Sequence, residues 1–426
     1  MQIFLNPPTD SWDELCKRPE LENSALESSV TSILDAVKKF GDKAVREYTK
    51  QFDKVDIETL LVNQNEIIEA NKIVSKKLKS AIAIASRNIK KFHSIQKPST
   101  IKIETMPGVM CWRKPTPIER VGLYIPGGSA PLFSTVLMLA VPAKLAGCQE
   151  IILTSPPNQF GKIHPAILYA ANYIGVKHIY KIGGIQAIAA MAFGTESIKK
   201  VNKIFGPGNQ YVTKAKQLVS NLGTAIDIPA GPSELLVVAD KSANAKHIAA
   251  DLLSQAEHGG DSQVVLVVSS ETYANSVVAE IHKYLATFDE KAKIHESIKN
   301  SRVIVLKYLE DQIKFVNMYA PEHLIINTSD CNSVVNKIVN AGSIFLGPYT
   351  PESAGDYASG TNHTLPTSGG AKAYSGVSID SFIKNITIQK LSKKGLEGLQ
   401  STIETMAEAE KLPMHATAVS VRLEKK

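Results

Sequence analysis

The strongest constraint on the fold is an alternation of strand-like and helical segments that begins at Val121. Four strand–helix units follow one another up to Ser220. The strand-like segments are Val121–Ile125, Glu150–Thr154, His178–Ile182 and Lys203–Phe205, and the helical segments are Thr135–Ala146, Pro165–Ile174, Ile185–Phe193 and Gln210–Ser220. Because consecutive units of this kind form parallel sheets, the run predicts a doubly wound domain.

The alternation resumes at Leu235 with a similar layout. Strands are predicted over Leu235–Ala239, Gln263–Val268 and Arg302–Leu306, and helices over Ala243–Ala256, Thr272–Leu285 and Asp311–Met318. A chain of 426 residues is also too long for one compact core. We therefore expect an α/β protein with two doubly wound, Rossmann-like parallel-sheet domains and with small N-terminal and C-terminal helical segments.

The segments outside these two runs give their own predictions. They are an N-terminal arm over residues 1–24, helices over Ser28–Tyr48 and Asn63–His93, an edge strand from Val109 that ends before Pro115, and a helical C-terminal segment after Ile383 with one helix over Lys390–Glu410.

Charge, cysteine spacing and apolar content indicate which kinds of partner and compartment to expect. The net charge of +7 resides largely in lysine pairs such as Lys76-Lys77 and Lys393-Lys394. No dense, aromatic-interleaved arginine patch accompanies it, which favours a solvated surface over a nucleic-acid site. The four cysteines are widely spaced, which favours a reducing compartment. Since neither a signal peptide nor an apolar run of about 20 residues is present, we expect a soluble, cytoplasmic protein that binds no membrane.

Glycine-rich segments follow three of the predicted strands. They are Tyr124–Pro131, Gly183–Gln186 and Gly206–Asn209, whereas the GxGxxG fingerprint is absent. Ligands of open α/β sheets bind at the carboxyl ends of strands, where glycines admit a ligand close to the backbone and helix N-termini favour phosphate. Each segment alone is typical of a turn, but three at corresponding places predict a binding cleft.

Gln255 and His258 lie three residues apart at the end of a predicted helix that Gly259-Gly260 should terminate. An amide oxygen and an imidazole on one helical face could hold a metal ion. Asp356, in the loop-like stretch Gly347–His363, could supply the missing carboxylate, or could simply bond to its own turn. His363 could contact substrate or merely cap the loop, and His415, taken alone, is typical of a solvent-exposed histidine.

Glu322 and His323 are candidates for acid–base chemistry because histidine titrates near neutrality. Neighbouring side chains on an extended segment point in opposite directions, so both reach one cleft only on a bent chain. Pro321 favours such a bend. The alternative is an ordinary surface pair.

Taken together, these motifs resemble the histidinol dehydrogenase family from about Ser28 to Arg422. The matching segments are Tyr124–Pro131, Gly206–Asn209, Pro229–Glu234, Ser254–His258, Pro321–His323 and Glu352–His363. The resemblance implies oxidation of L-histidinol to L-histidine by NAD in two steps, through bound L-histidinaldehyde, as the end of histidine biosynthesis. It also implies one zinc ion per subunit and a homodimer with shared active sites.

The resemblance carries roles onto individual residues. The zinc ligands it implies are Gln255, His258, Asp356 and His415, and the substrate contacts are Ser233, His323, Glu410 and these same ligands, with Glu410 and His415 reaching the site of the partner subunit. The implied NAD contacts are Tyr124, Gln186 and Asn209. His323 matches the base for the alcohol proton, and Glu322 matches the base that activates water.

These roles imply a division of the chain into residues 25–123 with 233–380 for zinc and acid–base chemistry, 124–232 for NAD, and 381–426 for dimerisation. Three other functions remain open from the residues themselves. They are a dehydrogenase of another amino alcohol or diol, a zinc hydrolase and a non-catalytic metal-binding protein. The glycine-rich segments would have no task in a hydrolase, and the Glu322-His323 pair would be accidental in the last.

Overall fold

The chain folds around three β-sheets, two of them parallel. The computed structural model describes residues 1–19, 24–127, 130–228, 231–289 and 292–424, so Gly128, Ser129, Pro229 and Ala230 of the motifs above lie outside the described residues. The strands are β1 Gln2–Leu5, β2 Lys102–Met106, β3 Val109–Pro117, β4 Arg120–Tyr124, β5 Glu150–Ser155, β6 His178–Lys181, β7 Lys203–Phe205, β8 Ala225–Ile226, β9 Glu234–Ala239, β10 Gln263–Val268, β11 Arg302–Val305, β12 His323–Asn327, β13 Ser343–Leu346 and β14 Ile383–Leu391. The helices are α1 Trp12–Leu15, α2 Ser24–Asp53, α3 Gln64–Ile73, α4 Lys76–Ser94, α5 Phe133–Ala146, α6 Pro165–Ile174, α7 Gly184–Phe193, α8 Gln210–Asn221, α9 Ala245–Ala256, α10 Glu271–Leu285, α11 Lys293–Lys299, α12 Leu309–Tyr319, α13 Cys331–Val335, α14 Glu352–Tyr357, α15 Lys393–Ala409 and α16 Pro413–Leu423.

The smaller parallel sheet has five strands in the order β6-β5-β4-β7-β8. Successive side chains on β5 alternate between two cores. Ile151 and Leu153 pack into the core that holds α5 and α6, and Ile152 packs into the core beside α7 and α8. Helices on both faces make this sheet doubly wound, as the alternation from Val121 predicts.

The larger parallel sheet has six strands in the order β1-β11-β10-β9-β12-β13. On β9, Leu235 and Val237 face α9 and α10, while Leu236 and Val238 face α12. The edge strand β1 comes from the N-terminal arm and pairs with β11, Gln2 opposite Arg302. The arm is therefore tied into this sheet and is not purely helical. The prediction of two doubly wound parallel-sheet domains is confirmed.

The third sheet is antiparallel, in the order β14-β3-β2, and it corrects two predictions. β3 is the central strand and not an edge, and it continues through Pro115, which lies opposite Asn385. The segment after Ile383 is a strand and not a helix, because Ile386 and Ile388 alternate with polar residues and pair with β3. The helix begins only after Ser392, whose hydroxyl accepts a hydrogen bond from Gly395 N at 3.1 Å.

Two other segments differ from the predictions. Asn63–His93 is two helices, because Val74 is extended and Ser75 caps α4 by accepting a hydrogen bond from Leu78 N at 3.2 Å. The stretch predicted as a loop around Asp356 contains the short helix α14. Across the described ranges, every helix is too short or too polar to span a lipid bilayer.

Candidate active site

Glu322 and His323 reach one cavity because the chain bends immediately before them. Ala320 ends α12 in the left-handed region (φ 52°, ψ 66°), and Pro321 leads into β12. The two side chains consequently meet, with Glu322 Oε2 3.5 Å from His323 Nδ1. Both residues are buried, so the alternative of an exposed surface pair is wrong.

His323 lies among carboxylates. Its Nδ1 is 3.3 Å from the carbonyl oxygen of Glu234 and 3.5 Å from Glu352 Oε1. Its Nε2 is 3.6 Å from Asp356 Oδ1, an ion-pair separation that exceeds hydrogen-bond length. Burial alone would lower the pKa of His323, but the charges of Glu352 and Glu322 outweigh it and hold the pKa well above its ordinary value. The imidazole and its carboxylates thus form one proton-sharing group.

Glu352 is a functional candidate that sequence reasoning missed. Its side chain is 2% exposed, and burial raises its pKa to about 8 against the opposing charge of His323. In the orientation of the Gln255 amide that satisfies both of its neighbours, the amide nitrogen donates to Glu352 Oε1 and the amide oxygen accepts at 3.1 Å from Glu234 N, which is shared with Glu322 Oε2. Glu352 precedes Asp356 by one helical turn, so the spacing in α14 is the signal that could have identified it.

A metal ion would find nitrogen and oxygen donors here. His323, Glu352 and Asp356 each offer a ligand atom, and these atoms lie within 4.8 Å of one another. Burial opposes ionisation of Asp356, but His323 and, to a lesser extent, His363 and His258 lower its pKa below the ordinary value. Buried Glu352 Oε2 and His323 Nε2 have no hydrogen-bond partner among the described residues. The donor chemistry fits a divalent cation, but of these three residues only Asp356 belongs to the ligand set that the resemblance implies.

The cluster forms one wall of a cavity of about 480 Å³ between the two parallel-sheet domains. The larger-sheet side contributes Ser233, Gln255, His258, Glu322, His323 and Asp356. The smaller-sheet side contributes Pro126, Leu132 and Pro207. A second cavity, of about 610 Å³, shares Ser233 and His258 with the first and extends along Gly206–Asn209. Together they form one cleft, which we call the interdomain cleft.

The predicted NAD contacts lie at the carboxyl end of the smaller sheet. Tyr124 ends β4, and its hydroxyl accepts a hydrogen bond from Gly184 N at 3.2 Å. Burial raises the pKa of Tyr124 to about 12, so its hydroxyl stays neutral. Gln186 is buried in the first turn of α7, and its Oε1 has no hydrogen-bond partner within the described part of the chain. Asn209 caps α8 by accepting from Tyr211 N and Val212 N, each at 3.1 Å.

A buried ion pair fixes the glycine-rich loop that lines the cleft. Lys216 Nζ lies 2.5 Å from Asp227 Oδ1 and donates to the Gly206 carbonyl oxygen at 2.8 Å. Asp227 Oδ2 accepts from Gly206 N at 2.8 Å. Gly206 has φ +126°, and a Cβ there would overlap the carbonyl oxygen of Tyr124. Glycine is therefore required where this loop passes the end of β4.

His363 connects the two halves of the cleft. Its Nδ1 is 3.0 Å from the Asp356 carbonyl oxygen, and its Nε2 is 3.2 Å from Thr135 Oγ1 on α5. Burial lowers its pKa. These contacts favour a structural role for His363 at the edge of the site.

Glu410 and His415 do not join the site within one chain. Both are exposed, Glu410 at the end of α15 and His415 in the first turn of α16. Neither is among the described residues that line the two cavities. The helix pair α15–α16 packs mainly on itself and touches β14.

Two doubly wound domains with a buried imidazole–carboxylate cluster in the cleft between them define a two-domain α/β enzyme. The sequence model of the histidinol dehydrogenase family matches residues 16–423. The chain therefore belongs to the histidinol dehydrogenase family and is an oxidoreductase of histidine biosynthesis. This membership decides against a hydrolase and against a non-catalytic metal-binding protein.

Individual relatives agree over nearly the whole length. The chain is 56% identical over 424 residues to histidinol dehydrogenase of Bacteroides fragilis, covering 100% of this chain and 99% of the relative. It is 50% identical over 413 residues to that of Shigella sonnei, covering 96% and 94%. The crystal structure of histidinol dehydrogenase from Elizabethkingia anophelis has a TM-score of 0.97 at 54% identity, covering 99% and 98%. An acetylating aldehyde dehydrogenase from Geobacillus thermoglucosidasius shares the fold alone, with a TM-score of 0.50 at 15% identity over 89% and 93% of the chains.

Proposed function

We propose that the chain oxidises L-histidinol to L-histidine with NAD, in two successive hydride transfers through bound L-histidinaldehyde. The observation that carries the proposal is the buried Glu322–His323 pair on the wall of the interdomain cleft. Two of the glycine-rich segments of the smaller sheet line the same cleft, through Pro126-Gly127 and Gly206–Asn209, whereas Gly183–Gln186 is not among the described residues that line it. The acid–base groups of the larger-sheet domain and the glycine-rich segments suited to an anionic cofactor thus face the same interdomain cleft. Family membership supplies the substrate, since histidinol is what the named relatives oxidise.

Gln255, His258 and Asp356 would hold a zinc ion together with the partner subunit's His415. The first three line one cavity, and their oxygen and nitrogen donors suit zinc. When held by these residues, zinc would orient the substrate and polarise the reacting alcohol. Glu352 would orient the Gln255 amide through their hydrogen bond, as carboxylates behind metal ligands commonly do.

His323 would act in the first oxidation. The hydroxyl proton of histidinol passes to a neutral imidazole while the carbon-bound hydride leaves for NAD, which gives the aldehyde and NADH. Because the charges of Glu352 and Glu322 hold the pKa of His323 well above its ordinary value, the imidazole must first pass its proton to the surrounding carboxylates before it can accept the alcohol proton. Its Nε2 is buried and free of hydrogen bonds among the described residues, so it is available as the acceptor.

Glu322 would act between the two oxidations. Its carboxylate takes a proton from the water that adds to the aldehyde, which gives the monoanion of the hydrate. This anion then transfers a second hydride to NAD and becomes the carboxylic acid, which releases its proton to give the carboxylate. Glu322 Oε2 is held by Glu234 N at 3.0 Å, which fixes the base for this step.

We also propose that residues 124–232 bind NAD through Tyr124, Gln186 and Asn209, and that residues 25–123 with 233–380 carry the zinc and acid–base groups. Residues 381–426 would then dimerise the chain and place Glu410 and His415 in the partner's cleft. The exposed apolar residues of this segment support an interface, since Met406 is 60% and Met414 71% exposed.

Product stoichiometry tests the proposal. With excess NAD, each L-histidinol should yield two NADH and one L-histidine, and chelation of zinc should abolish turnover. One NADH per histidinol with accumulated aldehyde would reject the two-step scheme. Full activity in a metal-free preparation would reject the zinc assignment.

A further inference from the structure

Glu234 lies between the acid–base pair and the N-terminal arm, and the proposed reaction gives it no role. It is the first residue of β9 and is 1% exposed. Its backbone N–H donates to Glu322 Oε2 at 3.0 Å, and its carbonyl oxygen is 3.3 Å from His323 Nδ1. One peptide backbone thus contacts both members of the pair.

The side chain of Glu234 is held by Arg18, which belongs to the N-terminal arm. The guanidinium Nε is 2.7 Å from Glu234 Oε2, and Nη2 is 3.2 Å from Oε1. This two-pronged pair is largely out of solvent, with side chains 15% and 1% exposed. Bidentate guanidinium–carboxylate pairs fix geometry more strictly than a single contact.

Arg18 also contacts the chain bend at Ala320, which directs the Glu322 side chain into the cleft. Its Nη2 donates to the Tyr319 carbonyl oxygen at 2.6 Å, one residue before the left-handed Ala320. Its guanidinium carbon lies 3.7 Å from the centroid of the Tyr319 ring. The Tyr319 hydroxyl donates to Gln263 Oε1 at 2.8 Å. Arg18 therefore contacts both segments from which the acid–base pair is built.

We propose that Arg18 is a positioning residue for Glu322 and His323 and acts through Glu234 and Tyr319. Without the guanidinium, a buried carboxylate would lie unpaired beside the Glu322 carboxylate, which proteins avoid by moving or hydrating the group. Movement of Glu234 carries its backbone, and the bonds to Glu322 and His323 change with it. The proposal rests on the proposed function, because it takes these two residues as the acid–base pair.

Arg302 provides a matched control. Its Nη1 donates to the Lys17 carbonyl oxygen at 3.1 Å and also contacts the carbonyls of Glu14 and Leu15. It therefore anchors the same arm without a contact to Glu234. Arg302→Ala loosens the arm but leaves the Arg18–Glu234 pair in place.

The test compares Arg18→Ala, Arg18→Lys and Arg302→Ala as zinc-loaded full-length enzymes. For Arg18→Ala we expect kcat to fall about 10- to 100-fold, as for other residues that orient reacting groups, with KM for histidinol within about threefold. Lysine restores the positive charge but not the bidentate hydrogen bonds of the guanidinium. The kcat of Arg18→Lys should therefore lie between those of the wild type and Arg18→Ala. Millimolar methylguanidinium should raise kcat of Arg18→Ala severalfold. Arg302→Ala should lower Tm but keep kcat within about twofold.

A double variant keeps the test decisive if Arg18→Ala folds poorly. Glu234→Gln in the Arg18→Ala background removes the unpaired charge, so the double variant should fold better and should not respond to methylguanidinium. Equal kcat for Arg18→Ala and Arg302→Ala, or a kcat loss without rescue, would overturn the positioning role. Wild-type kcat in both Glu322→Gln and His323→Gln would instead overturn the proposed function. Loss of activity in those two variants but not in Arg18→Ala overturns the positioning proposal alone.

Discussion

Glu352 and Gln255 form one unit, in which the carboxylate accepts the hydrogen bond of the amide nitrogen. The contact joins α14 to the end of α9, which pack together in the folded chain. It directs the amide oxygen away from Glu352 and toward Glu234 N, and leaves that oxygen a further lone pair for a metal ion. The orientation of a predicted zinc ligand thus depends on Glu352, to which the sequence motifs assigned no role.

Replacing Glu352 with alanine should weaken both zinc binding and catalysis. Gln255 would lose the acceptor that orients it, and His323 would lose a carboxylate 3.5 Å away. We expect zinc affinity and kcat each to fall about 10- to 100-fold. Chelator competition and steady-state kinetics measure the two effects. Ser353→Ala, on the exposed side of the same helix, is the control and should match the wild type. Wild-type zinc affinity in Glu352→Ala would show that the amide needs no such support.

His258→Ala should lose zinc and most activity while the fold survives. His258 is exposed at the cavity wall beyond the end of α9, so its truncation leaves no hole in a core. Metal analysis of the purified variant is the measurement, with circular dichroism to monitor folding. His247→Ala is a matched control because His247 is an exposed histidine on the same helix. Full zinc occupancy in His258→Ala would show that His258 is not a zinc ligand.

Stability should depend on pH through Asp251. Burial raises the pKa of this carboxyl from 3.8 to about 7, so the folded chain binds its proton more tightly than the unfolded chain does. The stabilising contribution is complete below the unfolded pKa and is lost as pH rises through about 7. Asp251→Asn should therefore raise Tm by a few degrees near pH 8 and have little effect near pH 4. Thermal melts of the wild type and Asp251→Asn across this pH range test the prediction. A difference in Tm that does not change with pH would contradict the raised pKa of Asp251.

Sequence patterns predicted β4 to β7 and β9 to β11 of the parallel sheets, because each of these strands and the helix that follows it are marked by local signals. The short or edge strands β1, β8 and β13 and the strand β12 were missed. Pairing between β3 and β14 has no such local signal, because Pro117 and Ile383 meet only in the folded chain. Ile383–Leu391 was consequently assigned to a helix.

The predicted site was likewise located only where local sequence signals exist. Glycine-rich loops lie at the carboxyl ends of β4, β6 and β7, as the rule for open α/β sheets requires. Ser233 and Glu322, however, immediately precede β9 and β12, so the acid–base pair lies at the amino ends of the larger sheet. No periodicity predicts that arrangement. Pro321 and the chemistry of histidine made Glu322 and His323 candidates, whereas only the family resemblance identified Ser233. Neither the sequence patterns nor the resemblance assigned a role to Glu352, because its partners come from α9 and β12.

Glu322→Gln should spare the first oxidation more than the second. Glutamine keeps an oxygen that can accept from Glu234 N, so the geometry is retained, but it takes no proton from water. Only the aldehyde step consumes water. Separate assays with histidinol and with histidinaldehyde should show a loss at least tenfold larger for the aldehyde, in the range typical of a lost general base. Equal losses with both substrates would reject the division of labour between Glu322 and His323.

The final prediction is that each active site is shared between subunits. Glu410 and His415 lie on the exposed helix pair α15–α16 and are not among the described residues that line the interdomain cleft of their own chain. In a closed two-fold dimer each segment would complete the partner's site, because such an interface is reciprocal. We expect His415→Ala and His323→Ala homodimers each to be inactive.

Mixing these two inactive variants should restore activity. A mixed dimer places both defects in one site and leaves the other intact, so it should recover about half of wild-type activity per mixed dimer. Subunit exchange can be verified with differently tagged chains, and a mixture of His415→Ala with itself is the control. Because the intact site needs His323 from one chain and His415 from the other, recovery cannot arise within a single subunit. If exchange is complete and no activity returns, His415 serves its own chain and the cleft is completed by a rearrangement of α15 and α16.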